Sequence, residues 1–194
     1  MTPIIQNKKY TEQEYLELER KAEYKSEFFG GEIFAMAGTT NPHNIITVNF
    51  LILLGTKLRG KGCRPYGSDM RVHTPINSLY AYPDISVVCG DKKFLDNVFD
   101  TLLNPAFICE VLSKSTADYD TGGKFMRYRS IESLKEYWVI SSLECRLQKS
   151  VKQTNGSWLL TETTNVNDTV LIESLGEEVP LSEVYFEVEF EVSQ

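Results

Sequence analysis

Residues 82–89 (YPDISVVC) and residues 105–112 (PAFICEVL) are the two stretches that decide the fold of this chain. Both are short apolar runs rich in β-branched and aromatic residues, a pattern typical of strands that are buried on both faces. Each run nevertheless contains one carboxylate, Asp84 near the start of the first and Glu110 within the second. An ionised carboxylate is costly to bury alone, so each one needs a cation, a hydrogen-bonding cap or the rim of a cleft.

If the two strands are neighbours in one sheet, Asp84 and Glu110 converge on a single point. Mg²⁺ prefers hard oxygen ligands, keeps several of its water molecules and typically needs only one or two protein carboxylates. The pattern therefore predicts a Mg²⁺ site where the two strands meet.

Length and composition predict one domain that spans residues 1–194, because 194 residues with 42% hydrophobic content suffice for one substantial core. No apolar run reaches the length of a membrane span, and no apolar segment follows the first lysines, which favours a cytoplasmic protein without a membrane partner. The four cysteines lack the spacing of a zinc site, so we expect reduced core residues and no disulfide framework. They are Cys63, Cys89, Cys109 and Cys145.

The net charge of −7 is distributed unevenly along the chain. All 20 basic residues lie before residue 153, together with 18 of the 27 acidic residues, so the acidity belongs to the C-terminal part. Two basic clusters are suited to contact phosphates, although a solvated helix end or loop explains either cluster equally well. The clusters comprise Lys57, Arg59, Lys61, Arg64 and Arg71, and Lys124, Arg127 and Arg129.

Periodicity and turn signals predict an α/β fold in which helices flank a mixed central β-sheet and antiparallel hairpins are added. We expect the core in about residues 24–141 and a β-rich extension in about residues 142–194. The predicted helices are residues 12–22 after a capping box at Thr11, residues 43–58, a brief one within 94–103, and residues 121–131. The predicted strands are residues 26–36 as a hairpin at Gly30-Gly31, 63–73, the two runs above, 135–141, 143–164 as a hairpin at Asn155-Gly156, and 186–192.

A lysine near the two carboxylates would complete the residues needed for metal-assisted hydrolysis of a phosphodiester bond. A right-handed crossover places the helix around Lys124 over the sheet, between the strand of Glu110 and residues 135–141. Asp120, Lys124 and Tyr128 are spaced four residues apart, so they share one face of that helix. On spacing alone, an Asp120–Lys124 surface ion pair explains Lys124 equally well.

Pro83-Asp84 followed by Glu110-Val111-Leu112 resembles the PD-(D/E)xK nuclease motif, and the surrounding segments resemble the Uma2 family of restriction-endonuclease-like proteins. The matching segments are residues 27–32 (EFFGGE), 41–43 (NPH), 82–88 (YPDISVV), 110–113 (EVLS), 118–120 (DYD) with 124–129, and 180–186. This resemblance implies a restriction-endonuclease-like fold and a DNA endonuclease that depends on Mg²⁺ or Mn²⁺. It also implies that Asp84, Glu110 and the Val111 carbonyl bind the metal, and by analogy a homodimer for double-strand cleavage.

One position departs from the motif. The superfamily lysine stands two residues after the glutamate, where this chain has Leu112. In the resembled family the following helix commonly supplies the lysine, which points to Lys124, with Lys114 as the local rival.

The resemblance implies roles for two more residues, Glu27 and His43. Glu27 corresponds to an acid that superfamily members use as an additional metal ligand, whereas its position in a hairpin alone favours an outward-facing strand residue. His43 stands at the start of a helix, where a neutral imidazole either caps the helix or faces a cleft. With Asp120 and Tyr128, His43 is an accessory residue of the predicted site.

Two other functions remain open on the sequence. The leucine at position 112 and the acidic C-terminal part favour a DNA-binding module that keeps the fold with reduced catalysis. The alternating tail of residues 186–192 is suited to edge pairing with a partner or a second copy.

Overall fold

The structure is a computed structural model that describes residues 8–76, 78–113 and 123–190. None of the helices in these ranges combines the length and the apolar character that a bilayer crossing requires. The helices are α1 (Glu12–Glu19), α2 (Asn41–Lys57), α3 (Phe125–Tyr128) and α4 (Leu181–Val184). The strands are β1 (Ser26–Phe29), β2 (Glu32–Ala35), β3 (Cys63–Gly67), β4 (Arg71–Thr74), β5 (Leu79–Ala81), β6 (Ile85–Cys89), β7 (Thr101–Leu102), β8 (Phe107–Leu112), β9 (Glu136–Ser141), β10 (Leu147–Lys152), β11 (Trp158–Thr163), β12 (Thr169–Ile172) and β13 (Glu177–Pro180).

A six-stranded mixed sheet in the order β11-β10-β9-β8-β6-β3 forms the centre of the fold. Within it β8 and β9 run parallel and are connected through α3, which is the predicted crossover, while the other neighbours are antiparallel. A five-stranded sheet has the order β2-β1-β5-β4-β7, and β12 pairs with β13. The predicted α/β fold with a mixed central sheet and flanking helices is confirmed.

Helix α2 packs one apolar face on the central sheet. Its buried residues recur at helical spacing and contact Phe107 and Trp138, with Phe50 stacked on the indole at 5.6 Å between ring centroids. The opposite face exposes Val48 and Ile52. The residues of the buried face are Ile46, Phe50, Leu54 and Leu58.

The turn and capping signals of the sequence correspond to the observed elements. Thr11 accepts the backbone N–H of Glu14 and Glu14 bonds back to Thr11, which is the predicted capping box. Gly30 and Gly31 have φ values of +57° and +86° in the β1–β2 turn, where a side chain would be strained. Residues 153–157 similarly connect β10 to β11.

Three predicted elements are wrong because the chain turns where a continuous run was expected. Residues 63–73 form β3 and β4 in different sheets, since a turn intervenes at Met70, whose N–H donates to the Gly67 carbonyl. Residues 94–103 form a bridge and β7 instead of a helix. Residues 186–190 form no strand, because α4 leads into turns and Asn49 Nδ2 donates to the Phe186 carbonyl. Residues 191–192 lie outside the described ranges.

The cysteine prediction also needs a correction. Cys63 and Cys89 are joined in a disulfide because the β3–β6 register places them directly opposite each other, with Cα atoms 4.0 Å apart. Cys109 and Cys145 are free thiols, and Cys109 is buried in the core as expected.

Arg71, which the sequence places with the DNA-contacting cluster, is instead a buried cation and is 2% exposed. Its Nε donates to Thr101 Oγ1 at 2.9 Å and its Nη1 donates to Tyr82 Oη at 3.0 Å. Its Nη2 lies 3.0 Å from Asp100 Oδ1 as an ion pair without the angle of a hydrogen bond. Burial alone would raise the pKa of Asp100, but hydrogen bonds and the nearby arginine charges lower it to about 2.

We expect Arg71→Met to destabilise the protein by about 3 kcal/mol, because Tyr82, Thr101 and Asp100 lose a buried partner. Urea unfolding measures this change. The exposed Arg64 provides the control, since Arg64→Met should change the unfolding free energy by less than about 0.5 kcal/mol. Equal stability of the two variants would contradict a structural role for Arg71.

Candidate active site

Asp84 and Glu110 lie together at one end of the β6–β8 pair. The register Ile85↔Cys109 places Asp84, which precedes β6, opposite Glu110. The Asp84 N–H donates to Glu110 Oε2 at 3.3 Å, and the Val111 N–H donates to Asp84 Oδ2 at 2.8 Å. The strands are neighbours, as the hypothesis of a shared site requires, and backbone N–H groups hold both carboxylates.

Lys124 brings a cation to these acids from the residue just before α3. Its side chain is buried, and Nζ lies 3.0 Å from Glu27 Oε1 and 3.4 Å from Glu110 Oε1. Lys124 is therefore buried among carboxylates that are themselves buried, and the predicted Asp120–Lys124 pair involves a residue outside the described ranges. Asp120, Lys114 and the rest of residues 114–122 lie outside the described ranges.

Glu27 faces the site and not the solvent. It is buried on β1, and besides the ion pair with Lys124 its Oε1 accepts the Tyr82 N–H at 3.4 Å. The expectation of an outward-facing residue fails because protein covers both faces of β1: Phe28 packs in one core cluster, and Phe29, on the face of Glu27, packs against another. The carboxylate of Glu27 thus serves first as a counter-ion of Lys124.

Tyr128 supports Glu110 from α3. Its hydroxyl donates to Glu110 Oε1 at 3.1 Å from a fully buried position. Burial raises the pKa of Tyr128 well above its ordinary value, and the charges of Glu110 and Glu27 raise it further. The hydroxyl therefore stays protonated and acts as a hydrogen-bond donor to the glutamate at any pH where the protein functions.

His43 approaches Asp84 from the first turn of α2. Its Nε2 lies 3.3 Å from Asp84 Oδ2, and the ring is buried. Its Nδ1 is buried and has no hydrogen-bond partner among the described residues. Pro42 precedes His43 at the helix start, where a missing N–H costs nothing, so α2 can begin beside the site.

The donor set fits a hard divalent cation that keeps part of its water shell. Within the described ranges, no three His, Cys, Asp or Glu side chains converge as a complete ligand set. Asp84 and Glu110 supply the one or two carboxylates that Mg²⁺ typically takes. The Val111 carbonyl points to the same side of β8 as its N–H, toward Asp84, whereas the Leu112 carbonyl accepts from Ser142 on the other side.

The two basic clusters lie at different distances from the site. Arg127 and Arg129 belong to α3 and the residue that follows it, close to Lys124. The other cluster lies at the far end of α2 and on β3, and Lys57 is about 20 Å from His43 along the helix. Its members are Lys57, Arg59, Lys61 and Arg64. Of these, Lys61 forms an ion pair with Glu177.

Tyr82 is a residue of the site that the sequence prediction missed. Its N–H donates to Glu27, its hydroxyl donates to Glu19 Oε1 at 2.8 Å, and Arg71 donates to the same hydroxyl. It thereby links the site to the buried charges around Arg71. Its position directly before Pro83-Asp84 is the signal that could have identified it.

Two known proteins are similar to this chain over most of its length. An uncharacterized protein of Synechocystis sp. (strain PCC 6803), sll1609, is 38% identical over 167 residues, which cover 86% of this chain and 94% of the relative. A second uncharacterized protein of that strain, slr1290, is 32% identical over 177 residues, which cover 91% and 92% of the two chains.

A solved structure shows the same fold. The crystal structure of "a putative nuclease belonging to DUF820" from Anabaena variabilis superposes with a TM-score of 0.75 at 15% identity, covering 90% of this chain and 97% of that one. The sequence model of the Uma2 family, described as "Putative restriction endonuclease", matches residues 12–182. The chain therefore belongs to the Uma2 family.

Proposed function

We propose that this protein is a Mg²⁺-dependent DNA endonuclease of the PD-(D/E)xK type, which hydrolyses phosphodiester bonds. The observation that carries the proposal is the contact of the Lys124 ammonium with Glu110, whose carboxylate is held against Asp84 on a neighbouring strand. Both the family description and the nuclease name of the solved structure support this class of reaction.

Asp84, Glu110 and the Val111 carbonyl would hold Mg²⁺ or Mn²⁺, which when bound supplies a Lewis acid and a water molecule of lowered pKa. Hydrogen-bond donors act on both carboxylates before any substrate arrives. The Val111 N–H fixes Asp84 Oδ2, and the Tyr128 hydroxyl fixes Glu110 Oε1. Such support from neighbouring groups keeps ligand oxygens in one orientation and strengthens metal binding.

Lys124 replaces the lysine that Leu112 cannot provide. Its ammonium offsets the negative charge that develops on the phosphate and donates to the attacking water molecule. Glu27 holds the ammonium at 3.0 Å, so the cation is positioned without reorganisation during the reaction. We therefore assign Glu27 to the positioning of Lys124 and His43 to the support of Asp84.

DNA contacts outside the site are assigned to Arg127 and Arg129, which follow Lys124 in the sequence. Arg127 lies on α3, and Arg129 directly follows it. The cluster at the end of α2 can contribute to the same complex only if the DNA extends about 20 Å from the site. A homodimer for double-strand cleavage and an accessory role of Asp120 remain predictions.

Plasmid nicking tests the proposed function. Purified protein should convert supercoiled plasmid to the open circular form with Mg²⁺ or Mn²⁺ and leave it intact with EDTA. Asp84→Asn, prepared in parallel, should show no nicking above a buffer blank. Equal nicking by the wild type and Asp84→Asn would assign the activity to a contaminant and contradict the proposal.

The same material tests the alternative, a DNA-binding module with reduced catalysis, which the leucine at position 112 favours. That alternative predicts DNA affinity that falls steeply with salt, because phosphate contacts release counterions. It also predicts no nicking with any divalent metal.

A further inference from the structure

The face of the β1–β2 hairpin that carries Glu27 also carries an exposed phenylalanine. The register pairs Glu27 directly with Phe34. Opposite residues of an antiparallel pair project to the same face, with Cβ atoms about 5 Å apart. Phe34 is 45% exposed on β2, which is the edge strand of the five-stranded sheet. An exposed aromatic ring therefore lies next to the carboxylate that holds Lys124.

This face of the hairpin is the inner one. Phe28, on the other face, packs with Tyr15 and Tyr80 under α1. Phe29 shares the face of Glu27 because side chains alternate along a strand, and it packs against the core cluster that contains Tyr128. Glu27, Phe29 and Phe34 thus share one face of the hairpin. Phe34 is its solvent-exposed member, at the border of the candidate site.

A cation lies in the same row. The guanidinium carbon of Arg127 is 3.7 Å from the centroid of the Phe29 ring, and Arg127 follows Lys124 by three residues. Surfaces that bind single-stranded nucleic acid combine cations that track the backbone with aromatic rings on which bases stack. Arg127, Lys124 and the exposed Phe34 present this combination on one side of the site.

We propose that Phe34 is a stacking platform for a nucleobase that flanks the scissile phosphate. The proposal rests on the proposed nuclease function and adds a base-binding position to it. Stacking uses the π face that every base has, so this position tolerates any sequence. It requires a base that has left its neighbours, so we expect single-stranded or locally opened DNA to bind more tightly through Phe34 than an intact duplex does.

Fluorescence anisotropy in EDTA tests this position without cleavage. The probe is a labelled 20-nucleotide DNA, single-stranded in one arm and as a blunt duplex in the other. Phe34→Ala should weaken single-strand binding about 5- to 150-fold, whereas Phe34→Trp should stay within about threefold of the wild type. The dependence of log Kd on log salt should have the same slope in wild type and Phe34→Ala, because stacking releases no counterions.

Phe99 supplies the matched control, because it is 60% exposed in the segment before β7, at the opposite edge of the same sheet. Phe99→Ala should bind the single strand as the wild type does. Nicking by Phe34→Ala with Mg²⁺ should show a raised KM and an unchanged kcat.

The inference and the proposed function fail in different experiments. Three results would overturn the stacking role. Phe34→Ala could bind the single strand with wild-type affinity, or Phe34→Trp could lose as much affinity as Phe34→Ala. Phe34→Ala could also weaken binding of the duplex more than binding of the single strand. A dimer that dissociates in Phe34→Ala would assign the ring to a second copy of the chain and overturn it as well. Absence of nicking by a wild type whose binding depends on Phe34 would reject the nuclease and support the stacking position.

Discussion

Lys124→Met should lower the free energy of unfolding by about 3–5 kcal/mol and reduce plasmid nicking about 10³-fold. Methionine keeps the length of the side chain and removes its charge. Glu27 and Glu110, both buried, then lose the cation that lies 3.0 and 3.4 Å from them. Without the cation, less attraction offsets the cost of removing these carboxylates from water, so stability and activity fall together.

Urea unfolding followed by tryptophan fluorescence measures the first effect, and initial nicking rates with Mg²⁺ measure the second. The double variant Glu27→Gln/Lys124→Met separates the two effects, because it removes one of the two orphaned charges. It should recover part of the lost stability and none of the nicking.

Lys149 offers a matched control for the lysine substitution. It pairs with Glu173 at 3.0 Å on β10, and its partner is well exposed to solvent. Lys149→Met should therefore change stability by less than about 1 kcal/mol and leave nicking unchanged. The role given to Lys124 would be contradicted if Lys124→Met were as stable as the wild type, or if its nicking rate were within tenfold of the wild-type rate.

Glu110→Gln should reduce kcat/KM for nicking by at least about 10³-fold while the unfolding free energy changes by less than about 1.5 kcal/mol. The substitution removes a charged ligand oxygen but keeps the shape of the side chain. Lys124 retains Glu27 as its counter-ion, so no buried cation is left alone. Of the Asp84 N–H and the Tyr128 hydroxyl, the amide can accept only one, because it has a single oxygen.

Glu136 provides the same substitution in the same sheet. It is buried on β9, where it accepts the Trp138 indole N–H and the Ser174 N–H. Glu136→Gln should leave kcat/KM within about threefold of the wild type. Glu136 and Glu110 are both buried carboxylates, but only Glu110 is proposed to bind the metal. Similar losses of nicking in the two variants would attribute the effect of Glu110→Gln to folding.

The local elements follow from the sequence because short-range sterics and periodicity determine them. Gly30, Gly31 and Gly156 supply the positive φ values of the two hairpin turns, and the capping box starts α1 where it was expected. The two apolar runs draw attention to Asp84 and Glu110, because a carboxylate in a buried strand needs a cation, a hydrogen-bonding cap or the rim of a cleft.

Contacts between distant residues followed no such local rule. Arg71 stands beside Arg64 in a basic cluster of the sequence, yet the turn between β3 and β4 sends it into another sheet and into the core. Cys63 and Cys89 lie 26 residues apart and meet because β3 and β6 are neighbours in register. Linear spacing carries no information about sheet order, so neither outcome could be read from it.

The sequence by itself determined the two carboxylate-bearing strands, the crossover that returns to β9 and the absence of a lysine at position 112. Only the tertiary structure decided which cation lies against Glu110. Lys124 meets Glu27, which is 97 positions earlier in the chain, because β1 and α3 converge on the end of β8 where Glu110 lies. Secondary structure depends on neighbours along the chain, whereas the position of a buried charge depends on which elements pack together.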